Sequence, residues 1–203
     1  MILIGGGGHA KSLAEFCHER IEGYLAKEKN PEMTGEWLGD DSVGPELAGK
    51  GYKFHMAFIY SGLPRMGKRE ALIKSYEDSG CGFETLIAPT AIISPNSVIG
   101  EGSAVLQGAI VNRSNIGRHC VVNSGAIVEH DCVVGDNTFI APGVVIGGFT
   151  HIGKNCFIGL GARISNNIRI SDNITVGIGA IVTKDLTEPG IYHGCPLHYY
   201  KCH

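Results

Sequence analysis

The chain has 203 residues and a formal net charge of −3 at pH 7, so charge gives no argument for a nucleic acid or an anionic membrane as partner. It contains no run of about 18 apolar residues that could cross a bilayer, and its start, MILIGGGGHA, lacks the basic and apolar segments of a secretory signal. We therefore expect a cytoplasmic protein with no membrane insertion, long enough for one small domain followed by a solenoid.

Residues 1–86 predict a small α/β domain. Short apolar segments alternate with segments of helical spacing, which is the βαβ order of a Rossmann-like fold. The expected elements, in chain order, are the strand Met1–Ile4, the helix Ser12–Arg20, the strands Ile21–Leu25 and Lys53–Tyr60, and the helix Met66–Ser79.

A glycine-rich loop follows the first expected strand. Its backbone N–H groups and the next helix N-terminus face one small volume, which suits a phosphate group. The spacing Gly5-x-Gly7-x-x-Ala10 also fits the dinucleotide fingerprint, but Ala26-Lys27 stands where an acidic residue should hold a ribose, which argues against NAD. We interpret the loop as a cradle for a nucleotide phosphate, the alternative being a flexible turn without ligand. The candidate ligands are Gly6, Gly7, Gly8 and His9.

Residues 87–203 contain a six-residue repeat followed by a C-terminal tail. A fixed period of six predicts a parallel β-helix, in which three hexapeptides form one coil and positions 18 apart stack at about 4.8 Å. The step from Val105 to Ile116 is 11 residues, which predicts one irregular turn. The residue after each aliphatic is usually small, and we expect it to form the corner. The inward-pointing positions are Ile87, Ile93, Ile99, Val105, Ile116, Val122, Val128, Val134, Ile140, Ile146, Ile152, Ile158, Ile164, Ile170, Val176 and Val182.

The repeat departs from its own rule at Glu129-His130-Asp131. Glu129 is a charged residue where small ones predominate, and His130 occupies a position that should point outward at a corner. An imidazole beside a carboxylate suits a general base near neutral pH. Gly148, 18 residues later, should lie one coil above, where its N–H could donate to an oxyanion. The alternative is a solvated histidine on a β-helix face.

A metal site is not expected. A β-helix can hold a metal with three stacked histidines, but His119, His130 and His151 are spaced 11 and 21 apart and do not stack at 18. The sequence therefore predicts chemistry without a metal.

Four motifs together resemble one family, the bacterial sugar acetyltransferases of the PglD/NeuD type. They are GGGGHAK at the start, Phe83–Pro89 at the junction, Glu129-His130-Asp131 in the repeats and Gly194-Cys195-Pro196 near the end. The resemblance covers nearly the whole chain. It implies a left-handed β-helix, a homotrimer, acetyl-CoA as co-substrate in a groove between subunits, and an N-terminal domain that binds a nucleotide-linked amino sugar.

The resemblance also assigns residues. It makes His130 the general base with help from Asp131, and places Asn123 at a polar active-site position. Gly148 matches the backbone oxyanion position. Three further matches are Leu160 and Ile178, which line the pantetheine groove, and Arg69, an arginine near the substrate.

The implied activity is N-acetylation of a nucleotide-linked amino sugar of the 4-amino-4,6-dideoxy type, for surface glycan synthesis. O-acetylation of a sugar such as sialic acid needs the same base and stays open. A non-catalytic β-helix scaffold gives no reason for Glu129 and His130 to break the repeat. The departures from the family are Ala26-Lys27 after the second strand, Ala88 before the junction proline, and Phe139 nine residues after His130.

Overall fold

The computed structural model describes residues 1–59, 65–194 and 198–200, with backbone alone at residues 65 and 198–200. Tyr60, the expected end of the third strand, and Cys195-Pro196 of the end motif lie outside the described residues. No helix in the described part of the chain is long and apolar enough to span a membrane.

The N-terminal part is a small α/β domain built on one five-stranded parallel sheet. The strand order is β3-β2-β1-β4-β5, so β2 and β3 extend the sheet on one side of β1, and the chain then crosses back to add β4 and β5 on the other side. The strands are β1 Ile2–Ile4, β2 Gly23–Leu25, β3 Glu36–Gly39, β4 Lys53–Met56 and β5 Gly82–Phe83; the helices are α1 Gly8–Cys17, α2 Gly44–Gly49 and α3 Arg65–Asp78, with 3₁₀ turns at His18–Arg20 and Asp41–Val43.

The expected elements of this domain are present with shifted ends. Helix α1 begins at Gly8, four residues before the predicted start, so His9 belongs to its first turn. Strand β3 and helix α2 were not predicted. Strand β3 is an edge strand with largely exposed residues, so it lacks the apolar alternation that marks a strand in a sequence.

From Leu86 onward, short parallel strands, most of two residues, stack into three sheets, which fits a left-handed β-helix of hexapeptide repeats; the last strand, His198–Tyr200, pairs antiparallel. We name the sheets by their outer surfaces. The strands of the covered face are β6 Leu86–Ile87, β9 Ala104–Val105, β12 Val121–Val122, β15 Phe139–Ile140, β18 Phe157–Ile158, β21 Ile174–Val176, β23 Gly190–His193 and β24 His198–Tyr200. The strands of the apolar face are β7 Ile92–Ile93, β10 Ile110–Val111, β13 Ile127–Val128, β16 Val145–Ile146, β19 Arg163–Ile164 and β22 Ile181–Val182. The strands of the polar face are β8 Val98–Ile99, β11 Asn115–Ile116, β14 Val133–Val134, β17 His151–Ile152 and β20 Arg169–Ile170.

The register confirms the period and the irregular turn. Most stacked positions are 18 residues apart, as in the pair Val128 and Ile146. Val111, however, pairs with Val128, only 17 residues later. The five-residue step therefore falls between Val111 and Ile116. The inward aliphatics fill the prism, except that Ile87 is 47% exposed because no coil stacks beneath it.

The three faces differ in what covers them. On the covered face, outward residues such as Val121 and Phe139 join one core cluster with Leu13 and Cys17 of α1, so the α/β domain packs there. On the apolar face, five of the six outward positions are aliphatic, and the sixth is the exposed Arg163. Ile92 and Ile181 are more than 40% exposed, and the other three, Ile110, Ile127 and Val145, are partly buried.

The small residue after each aliphatic does not form the corner that the sequence predicted; it allows successive coils to stack closely. A Cβ at Gly135 would lie 2.7 Å from the backbone of Gly153 in the next coil, so glycine there permits close stacking. The turn itself is made two positions later, by residues with positive φ such as Asn137 (φ 53°) and Asn155 (φ 57°).

Candidate active site

His130 projects from the corner between the apolar and polar faces, in the turn that joins β13 to β14. We call this the histidine corner; its turns are residues 112–114, 129–132, 147–150 and 165–168. The side chain is 47% exposed, and its Nδ1 lies 2.9 Å from Asp131 Oδ2. When Nδ1 carries the proton and donates a hydrogen bond to this carboxylate, Nε2 carries the free lone pair that a general base requires.

The two carboxylates beside His130 have separate tasks. Asp131 contacts the ring, while Glu129 Oε2 accepts hydrogen bonds from His130 N at 3.3 Å and from Asn112 Nδ2 at 3.2 Å. Ser114 Oγ donates to Glu129 O at 2.6 Å, which ties the turn to the coil below. Asp131 therefore orients the imidazole, and Glu129 braces the backbone that carries it.

Gly148 lies one coil above His130, as predicted from the spacing of 18. A Cβ at this position would be 2.8 Å from His130 Cε1 and 2.9 Å from Nε2, so only glycine leaves the ring its place. No acceptor within the described chain takes a hydrogen bond from Gly148 N–H, which leaves this donor available beside Nε2. Phe149, which sequence reasoning did not single out, places its ring 5.1 Å from that of His130.

Asn123, Leu160 and Ile178 lie on a different corner, between the covered and apolar faces. We call it the glycine corner, with turns at residues 106–109, 123–126, 141–144, 159–162 and 177–180. Leu160 and Ile178 point outward, the latter 76% exposed, and Asn123 Oδ1 accepts from Ser124 N. Within one chain the two corners flank the apolar face, so these residues do not meet His130.

The glycine loop follows β1 where the order of strands in the sheet reverses, a position at which open α/β sheets bind ligands. Gly5 has φ +122° and donates to Leu25 O, so it serves the turn. Gly6 O accepts from Asn30 Nδ2, whereas a Cβ at Gly7 or Gly8 would meet nothing within 4 Å. Helix α1 begins there without a side-chain cap or an acidic residue in its first turn.

At the junction between the α/β domain and the covered face, Arg69 is buried and His9 is partly buried. The His9 ring stands edge-on to Phe139 at 6.4 Å, and burial, with Arg69 nearby, lowers its pKa to about 4. Arg69 donates from Nη1 to His119 O at 2.9 Å and also to Asn137 Oδ1, and burial lowers its pKa to about 10. Arg69 thus ties α3 to the β-helix, and among the described residues its Nη2 has no acceptor.

The junction contains further polar groups that sequence reasoning missed. His55 is fully buried and its Nδ1 contacts Glu84 O at 2.9 Å, while Asn137 bonds to Asn155, one coil above it. Asn155 Nδ2 in turn donates to Glu70 Oε2 on α3. The repeated asparagine at a spacing of 18 was the available signal, but the packing of α3 against it depends on contacts remote in sequence.

Comparison with known proteins adds three observations. Residues 113–148 match the bacterial transferase hexapeptide family (six repeats), and no curated protein matches the chain. The structure of PerB from Caulobacter crescentus in complex with CoA and GDP-perosamine is similar at 31% identity and a TM-score of 0.87, over 98% of this chain and 96% of that one.

Two further solved structures have the same fold along their whole length. The acetyltransferase domain of PglB from Neisseria gonorrhoeae is 26% identical with a TM-score of 0.87, and 98% of each chain is covered; it has also been solved in complex with acetyl coenzyme A. WeeI from Acinetobacter baumannii, at 22% identity and a TM-score of 0.80 over 98% of each chain, shows the fold alone.

The match to PerB extends over both the α/β domain and the β-helix, and the relatives contain CoA or acetyl-CoA. The chain is therefore an acyltransferase with acetyl-CoA as co-substrate, and it belongs to the bacterial sugar acetyltransferases of the PglD/NeuD type.

Proposed function

We propose that this enzyme transfers the acetyl group of acetyl-CoA to the amine of a nucleotide-linked amino sugar of the 4-amino-4,6-dideoxy type, for surface glycan synthesis. The observation that carries the proposal is the half-exposed His130, whose Nδ1 is held by Asp131 while Nε2 has no hydrogen-bond partner among the described residues. The structure of PerB with GDP-perosamine supports a nucleotide-linked sugar as acceptor.

In the proposed reaction the acceptor nitrogen attacks the thioester carbonyl and His130 Nε2 takes the proton that the nitrogen loses. The C–S bond then breaks, and the departing CoA sulfur receives a proton from the imidazolium. Gly148 N–H donates to the oxygen that becomes negative during the attack, which lowers the barrier where charge develops. Asp131 stabilises the imidazolium in between.

The α/β domain is proposed to bind the nucleotide end of the acceptor as a Rossmann-like module. The open backbone at Gly7 and Gly8 and the uncapped start of α1 suit a phosphate group, since free N–H groups and the helix dipole both favour negative charge. Gly6, His9 and Arg69 complete the predicted acceptor set. His9 and Arg69 lie behind the loop, where they would shape the site from its buried side.

We further propose a homotrimer with composite active sites. The apolar face presents aliphatic side chains at five of its six outward positions, interrupted by Arg163, and apolar surface of this kind associates with another subunit. It is flanked on one edge by His130 and on the other by Asn123, Leu160 and Ile178. Packing this face against a neighbouring copy would bring the histidine corner of one subunit to the glycine corner of the next, so that acetyl-CoA lies between them.

The acceptor is tested by a panel of compounds with CoA thiol release as the readout and mass spectrometry of the product. A 4-amino-sugar nucleotide should react, and the free amino sugar should react poorly because it lacks the phosphates. A sugar acylated on a hydroxyl instead would favour O-acetyltransfer. Thiol release that is the same with and without any acceptor, or none with every acceptor, would contradict the proposal.

The composite site is tested by complementation. His130→Ala removes the base, and Ile178→Asp places a charge where pantetheine is expected; each homotrimer should be nearly inactive. In randomly mixed trimers about one quarter of the sites would combine an intact histidine corner with an intact glycine corner from the next subunit, so about a quarter of the activity should return. If verified mixed trimers stay inactive, each site is built from one chain.

A further inference from the structure

One residue beside His130 has an unusual backbone conformation. The five turns of the glycine corner from residue 106 onward use glycine at positive φ, and among the non-glycine residues with positive φ asparagine is the commonest; both tolerate the left-handed region. Phe149 has φ 60° in the histidine corner; the other bulky side chains with positive φ in the described chain are Arg113, two coils below it, and His119. A bulky residue is rarely found in this conformation, and such outliers occur where surrounding structure or function requires them.

The Phe149 side chain is not held there by burial. It is 51% exposed, so it adds little to the core that would offset the strained backbone. Its ring instead stands edge-on to the His130 imidazole, with centroids 5.1 Å apart and an interplanar angle of 89°. Phe149 N also donates to His130 O at 3.0 Å, which links the two turns in successive coils.

We propose that Phe149 is a positioning residue for His130, which rests on the proposed function. Asp131 holds Nδ1, the missing Cβ of Gly148 leaves space for Cε1 and Nε2, and the Phe149 ring restricts rotation of the imidazole. The three contacts together fix the direction in which Nε2 points. Edge-to-face pairs of this kind are attractive beyond their buried area.

If Phe149 positions His130 at the expense of backbone strain, its replacement should lower activity and raise stability. Phe149→Asn removes the ring and gives the position a residue that accepts positive φ. We expect the melting temperature to rise by about 2–4 °C, as for a modest gain in a chain of this size. We expect kcat to fall on the order of 10-fold, less than for loss of the base itself, with both KM values nearly unchanged. A structural role would instead lower stability and activity together.

Two further variants make the outcome decisive. Phe149→Tyr keeps the ring and should retain most of the wild-type kcat, whereas Asn173→Gly changes a left-handed position remote from His130 and should leave kcat unchanged. In a His130→Ala background, Phe149→Asn should have no further effect on kcat, because the two residues act through one group.

Unchanged kcat in Phe149→Asn, or an equal loss in Phe149→Tyr, would overturn the positioning role. That result together with a large loss in His130→Ala would leave the proposed function intact. If His130→Ala itself keeps its kcat, the proposed function fails, and the positioning role fails with it.

Discussion

Histidines occur in two regions of this enzyme with opposite surroundings. At the domain junction, His9, His55 and His119 are withdrawn from solvent, and burial lowers the pKa of each. At the histidine corner, His130 is about half exposed and has a carboxylate on one ring nitrogen. The same type of side chain is thus a buried, neutral packing group in one place and an accessible group beside a carboxylate in the other.

The difference extends to how each region satisfies its polar atoms. At the junction, several buried nitrogens have no partner within the described residues, including His55 Nε2 and Arg69 Nη2, and unpaired buried groups reduce stability. At the corner, His130 Nε2 also has no hydrogen-bond partner within the described residues, but its side chain is 47% exposed, so solvent reaches the ring. The comparison predicts that substitutions of the junction histidines change the stability of the fold, whereas substitution of His130 changes turnover.

The largest effect is expected for His130→Ala. Loss of a general base costs on the order of 10²–10⁴-fold, so kcat should fall in that range while the melting temperature changes little, because the side chain is exposed. Steady-state kinetics and thermal unfolding of the same preparation measure both. His18→Ala, at an exposed histidine of the α/β domain, is the control and should leave kcat unchanged. Near-normal turnover in His130→Ala would remove the base from the mechanism.

The junction should make the fold acid-sensitive. Burial lowers the pKa of His55 to about 3, whereas an unfolded histidine titrates near its ordinary value of 6.5. On acidification the unfolded chain binds this proton before the folded one does. The stability that neutral His55 contributes is therefore complete above pH 6.5 and is lost as pH falls towards about 3. His55 alone should reduce the free energy of unfolding on the order of 3 kcal/mol by pH 4.

Denaturant unfolding of the wild type and His55→Asn at several pH values between 7 and 4 measures this contribution. Asparagine can keep a donor to Glu84 O but does not titrate, so the variant should be less stable at pH 7 and lose less stability on acidification. Its kcat at pH 7 should be unchanged once the folded fraction is taken into account. Parallel pH curves for the two proteins would contradict the assignment of acid sensitivity to His55.

The two regions also differ in how far the sequence could predict them. The strict period of six fixes which side chains point outward, so the exposed His130 and the stacking of Gly148 above it followed from position alone. The junction could not be predicted in this way, because α3 contacts the β-helix through pairs such as Arg69 and Asn137, which are 68 residues apart. Whether Glu129 or Asp131 holds the ring also needed coordinates, since both are adjacent to His130.

A smaller effect than for loss of His130 is expected for Asp131→Asn. Asp131 has φ 57°, and asparagine occupies the same conformation in several other coils, so the variant should fold normally. Its amide oxygen can still accept from Nδ1, and what disappears is the negative charge that stabilises the imidazolium. We expect kcat to fall about 10-fold, because the carboxylate is partly exposed and solvent screens its charge.

The matched controls for Asp131→Asn are Asp172→Asn and Glu129→Gln. Asp172 accepts from Lys154 N at another corner, so its loss of charge should not alter kcat. Glu129→Gln keeps an acceptor for His130 N and should cost less than Asp131→Asn. If Glu129→Gln were the more damaging change, the charge that supports His130 would come from the residue before it, and the role assigned to the Nδ1 contact would be wrong.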